Sequence, residues 1–223
     1  MRNDSQFKKK QFKKWCNWIN TILDDIQTVY FHRSMYRGLS TLVAKYDQRD
    51  KNTLFFAFLQ NIFVDSLSMG IRRQIKINKD SISLVRLLSE LKEMPSFVTR
   101  KDYYDLWQKH DKGIDVFKAR TFALFAAQDA HHIDGKIVEK DLLDLHDVCD
   151  RAVELADRRV AHRDKRGLEE DMTLQELLEE LDFVGELVKK YYLLFTAKDI
   201  DLCPVPAELP WPRPWIDLFM KNT

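Results

Sequence analysis

The chain has 223 residues, 36 Lys+Arg against 35 Asp+Glu, 45% hydrophobic residues, six glycines and six prolines. That length holds one domain with a substantial core, or at most two small ones, and the composition reads as soluble and globular. So little turn chemistry argues against an all-β chain and favours long helices. Cys16, Cys149 and Cys203 are isolated thiols without paired spacing, which argues against a disulfide framework or a zinc ribbon. The basic start lacks an apolar run behind it, and the longest apolar run, Leu54–Leu59, is too short to span a bilayer. A cytoplasmic protein with no membrane partner is expected.

Residues 5–31 read as a first helix, with Phe12, Trp15, Ile19, Ile22, Leu23 and Ile26 recurring at helical steps. Lys8, Lys9, Lys10, Lys13 and Lys14 crowd its first turns, where the helix dipole disfavours cations. They mark a solvated face or a surface for an anionic partner. A second helix is expected over 33–47 and a third from Thr53 to Ile77, in which Gly70 allows a neighbour to approach closely. Ser81 opens a short helix, Ile82–Met94, stopped by Pro95. Thr99 and Asp102 form a capping box for a helix through Trp107 that Gly113 closes, and Asp115–His131 is the next helix.

The turn at Asp134-Gly135 leads into a long helix whose buried stripe is Val138, Leu142, Leu145, Cys149, Ala152, Ala156 and Val160. Gly167 ends that segment. Thr173 and Glu176 form a second capping box for the last helix, Leu174–Phe195. The tail holds five of the prolines with Trp211 and Trp215, and is expected to lie extended and bury both tryptophans. The expected fold is all-α. It is an antiparallel bundle of long amphipathic helices forming one domain over residues 1–200, with residues 201–223 as an extended tail packed on it.

The charge is split along the chain. Residues 1–112 carry 21 Lys+Arg against 12 Asp+Glu, whereas residues 113–223 carry 15 against 23. Inside the acidic half lies RRVAHRDKR, residues 158–166, in which Arg158, Arg159, Arg163, Lys165 and Arg166 surround His162. A cationic island of this kind suits phosphate, and a histidine within it exchanges a proton near neutral pH. The bland account is that cations gather near a helix C-terminus because the dipole favours them there. Arg158 and His162 are four residues apart and share a helix face outside the buried stripe.

Arg72 and Arg73 end the third helix, with Lys76 and Lys79 behind them. A salt bridge to Asp65 or to an acid on another helix is their first reading, and RNA contact the second. His146 and Asp150 share a face at i, i+4, and His131-His132 lie near Asp134, but nothing fixes a third ligand. No metal site and no cofactor are expected.

AHRD after a long amphipathic helix resembles the signature of HEPN helical domains, in which an arginine precedes a histidine near a helix end. The stretch MGIRRQIKINKDSISLVRLLSEL, residues 69–91, is similar to the IRRQ…DSxSLxxLL segment of AbiU-type HEPN proteins of bacterial abortive-infection systems. The resemblance covers residues 10–200. It implies an RNA-acting protein of a phage-defence or toxin-like system, a homodimer with two motifs facing across a two-fold axis, and a partner or antitoxin protein. It also implies metal-independent RNA cleavage, with His162 as general acid or base and Arg158 holding the scissile phosphate. Asp157 then stands for the polar residue that follows the family's arginine, and Arg159, Arg163, Lys165, Arg166, Arg72 and Arg73 track the RNA backbone. Where that arginine would fall, this chain has Leu155, Ala156 and Asp157. The rival readings are a non-catalytic HEPN-like module that binds nucleic acid, a nucleotide or a protein, and a helical scaffold that self-associates basic half to acidic half.

Overall fold

The computed structural model describes residues 2–46, 53–77, 80–107, 114–127, 129–161 and 172–203. Within them lie seven α-helices: α1 (Arg2–Tyr46), α2 (Thr53–Ile75), α3 (Leu84–Glu93), α4 (Arg100–Leu106), α5 (Ile114–Phe122), α6 (Gly135–Ala156) and α7 (Leu174–Thr196). The only extended pairing among the described residues is one antiparallel bridge, Thr99 with His132. The all-α expectation holds. Of the expected tail, residues 204–223, with Trp211 and Trp215, lie outside the described residues.

Helices α1, α2, α3, α6 and α7 turn apolar faces to a shared core. Trp15, Ile19, Ile22 and Ile26 of α1 meet Leu67 and Ile71 of α2, Leu87, Leu88 and Leu91 of α3, and Val184, Val188 and Tyr191 of α7. The stripe read on α6 is buried at Val138, Leu145, Cys149, Ala152 and Ala156 and half-buried at Leu142, while the Val160 side chain lies outside what is described, and α6 packs mainly on α2 and α3. Two glycines set the closest approaches. A Cβ at Gly70 would collide with Val29 of α1, and one at Gly185 would strike the Tyr30 hydroxyl and come within 2.7 Å of Leu202. Both capping boxes form, at Thr99 with Asp102 and at Thr173 with Glu176.

Three boundaries differ from the sequence reading. The two helices expected over 5–31 and 33–47 are one continuous α1. The apolar period fades near Phe31, but no proline intervenes and tertiary contacts carry the helix on. His32 bonds Ser66, Arg33 donates to Asp182 at 2.5 Å, and Tyr36 stacks on Phe63 with centroids 4.4 Å apart.

The helix expected over Asp115–His131 stops at Phe122. Carbonyls beyond that point serve other segments. Phe125 accepts from the Asp134 N–H at 2.7 Å, Ala130 from Arg100 Nε at 3.0 Å, and His131 from the Arg100 N–H at 2.9 Å. Finally, Ser83 rather than Ser81 opens α3, its hydroxyl accepting from the Arg86 N–H at 3.3 Å.

Candidate nucleic-acid interface at the end of helix α6

Helix α6 does not end in an ordinary frayed turn. Residues Asp157–Ala161 form a π-helical turn, a geometry seen mostly as single turns and often at functional sites. Side chains on both its flanks reach across to α2. Asp157 accepts from Arg72 Nε at 2.5 Å and pairs with Lys76 Nζ. Arg159 donates through Nε to Asp65 at 2.9 Å and through Nη2 to Asn61 at 3.2 Å. Arg158 pairs with Glu154, one helical turn back. Helices α2 and α6 therefore meet along a charged seam that fixes the turn on both sides.

The cause is readable in the helix register. Asn61 and Asp65 are four residues apart on α2, and Arg72 near its end is four before Lys76, the residue just past it, so acid and amide stand at one level and cations a few turns on. The seam is only partly buried: Arg72 and Asp157 are 23% and 30% exposed, and Arg159 and Asp65 29% and 41%. Partial burial opposes ionisation of Asp157, but the hydrogen bonds and charges of Lys76 and Arg72 outweigh it and hold the carboxyl below its ordinary range. Ion pairs this exposed contribute about 0–1 kcal/mol each.

The two elements of the family-like sequence take different places. In the 69–91 stretch, Ile71 is core and Arg72 reaches Asp157. Gln74, 1% exposed, accepts the Leu84 N–H at 3.2 Å and donates to Asp25 at 3.4 Å. Leu84, Val85, Leu87, Leu88 and Leu91 of that stretch are buried in the core. Arg73 is exposed and has no partner among the described residues. In the 158–166 stretch, Arg158 and Arg159 are described, whereas His162, Arg163, Lys165 and Arg166 lie outside the described residues. The structure thus brings Asp157 and Arg72 together and sets Arg159 on Asp65, farther back along α2. Leu155 and Ala156, where the family's arginine would fall, are core side chains, 6% and 0% exposed.

Other candidates resolve into structure. Asp134 caps α6 through the Lys136 N–H at 2.9 Å, and His132 Nδ1 bonds the Ile133 carbonyl at 2.7 Å. His146 and Asp150 share a cleft of about 730 Å³ with Lys76 and Val153, and no group of three or more ligating side chains occurs among the described residues. Lys8 pairs with Asp102, while Lys14, Gln11 and Trp15 all donate to Glu90, tying α1 to α3. No helix among the described residues is long and apolar enough to cross a membrane.

Some partners were missed by the sequence reading. Glu154 stands four residues before Arg158, a spacing that signals a pair by itself. Asn61 and the buried role of Gln74 carry no local signal. Nor does Glu180 of α7, which is 7% exposed with Oε2 unpartnered. Desolvation drives its carboxyl up to about 7, with Glu176 and Asp150 adding to the rise while the Ala152 backbone and Arg151 oppose it.

Together the fold and the seam define an all-α helical protein with a cation-rich, partly exposed helix end. Comparison with known proteins found no matching family model, no matching curated protein and no matching solved structure.

Proposed function

We propose that the protein is a HEPN-like, RNA-acting module of a phage-defence or toxin-like system, engaging RNA phosphates at the end of α6 and through the AHRD segment that follows. One observation carries this reading. The π-helical turn Asp157–Ala161 is tied to α2 through Asp157 with Arg72 and Arg159 with Asp65, which gathers partly exposed cations at the helix end that precedes His162 in the sequence. Several partly exposed cations at one helix end suit recognition of an extended anionic chain, for which arginine is the fitting residue because it grips phosphate bidentately and stays charged. The proposed assembly is a homodimer, since isologous two-fold pairing is the commonest geometry and would set two such ends side by side.

Binding is favoured over cleavage by the placement of Leu155 and Ala156 in the core and by the engagement of Arg158 with Glu154. Metal-independent cleavage is the second reading and rests on His162, flanked by Arg163, Lys165 and Arg166 in sequence. The imidazole would take the 2′-hydroxyl proton or protonate the leaving 5′-oxygen, and Arg158 would release Glu154 to hold the phosphate.

The test is binding of short single-stranded RNA across a salt series in EDTA, with cleavage followed in the same samples. The expected affinity falls steeply as salt rises, because each neutralised phosphate releases counterions. His162→Ala should leave that affinity nearly unchanged. If wild type cuts RNA in EDTA, the same variant should lose the cut by ~100-fold or more. No binding in low salt, or binding indifferent to salt, overturns the RNA reading. A His162→Ala protein that cuts as well as wild type overturns the catalytic one.

A further inference from the structure

Five cations stand at or beside the seam between the ends of α2 and α6, and three acids oppose four of them. Arg72 and Lys76 share the Asp157 carboxylate, Arg159 holds Asp65, and Arg158 holds Glu154. Arg73 has no acid among the described residues. Each acid sits where an oxyanion would sit. The Asp157 oxygens are divided between a guanidinium and an ammonium, and Asp65 Oδ1 lies 2.9 Å from Arg159 Nε. Carboxylate and phosphate offer the same kind of oxygen to these donors.

Resting on the RNA reading above, we propose that Asp157, Asp65 and Glu154 are internal stand-ins for RNA phosphates. The seam is then an acid-gated phosphodiester-binding surface, in which RNA displaces the carboxylates from the arginines and the lysine. The exposures decide that such exchange is feasible. Glu154 is 55% exposed and Asp65 41%, so each acid can swing into water and recover its hydration. Pairs of this kind contribute little to folding. A phosphodiester chain arriving there gains several contacts at once and releases its counterions. Arg73 supplies the uncompensated charge that draws the chain in.

A purely structural seam and a gated one predict opposite signs. If the acids only brace the helices, removing one weakens or leaves unchanged any RNA binding. If they hold the places of phosphates, removing one frees a cation and strengthens binding. The experiment measures affinity for a single-stranded RNA of about twelve nucleotides as a function of salt, for wild type, Asp65→Asn, Asp157→Asn and Glu154→Gln. Each acid-to-amide variant should bind about threefold to tenfold more tightly. The slope of log affinity against log salt should steepen by about 0.7 for each phosphate gained.

Arg159→Ala placed in the Asp65→Asn protein should cancel the gain, as coupled partners do in a double-mutant cycle. Circular dichroism confirms that each variant is folded. Should Asp157→Asn fail to fold, Asp65→Asn and Glu154→Gln carry the test. RNA binding by wild type with equal or weaker binding by the amide variants would falsify the gating proposal and leave the RNA reading standing. No RNA binding by any of the proteins removes both.

Discussion

The corner where α2 hands over to α3 and the end of α6 both place polar side chains between helices, to opposite effect. At the corner, Gln74 and Ser83 are 1% and 0% exposed, and their polar atoms serve Leu84, Asp25 and Arg86. At the end of α6, Asp157 and Arg159 meet Arg72 and Asp65 in half-buried pairs open to water. A buried polar group left unpaired is costly, so the corner is locked into the fold. A solvated ion pair is cheap to open, so the α6 end can exchange one anion for another. The same contrast runs through the carboxylates. Glu180 is enclosed and its carboxyl is driven up to about 7, whereas cations hold Asp157 below its ordinary range.

Glu180 gives the largest expected effect. Its folded-state carboxyl lies above the unfolded value, so the stability it contributes is fully present below about pH 4.5 and is lost as pH rises through about 7. Glu180 by itself should therefore take on the order of 2–3 kcal/mol from the folded state between pH 5 and 8. Glu180→Gln should show a flatter melting-temperature profile over that window and exceed wild type at pH 8. Parallel profiles for the two proteins would mean that Glu180 is not enclosed as described.

Next in size is the corner. Gln74→Ala leaves the buried Leu84 N–H without its acceptor and should cost about 1–3 kcal/mol in chemical denaturation. The salt dependence of RNA binding should not change. A loss of RNA affinity with unchanged stability would move Gln74 from the fold to the interface and erase the contrast.

Smallest are the seam acids. Asp65→Asn should change stability by about 1 kcal/mol or less, because the pair it breaks is partly solvated. A loss several times larger would show that the seam holds the fold together no less than the corner does.

Sequence alone determined the all-α class, both capping boxes, the buried stripe of α6 and the close approach at Gly70, because periodicity, caps and small residues act within a few positions of themselves. It also pointed Arg72 toward an acid on another helix. It could not say which acid. Arg72 and Asp157 are 85 residues apart, and Arg159 and Asp65 are 94 apart, so their pairing depends on how α2 and α6 pack. Tertiary contact likewise carried α1 unbroken past Phe31, ended α5 at Phe122 by taking the carboxyl-side carbonyls, and buried Gln74 and Glu180. Side-chain burial and long-range partners follow from where whole helices come to rest against one another, which no local pattern encodes. The π-helical turn that runs into Ala161 belongs to the same class: its sequence reads as one more helical turn, and its geometry accompanies the anchoring of Asp157 and Arg159 to α2.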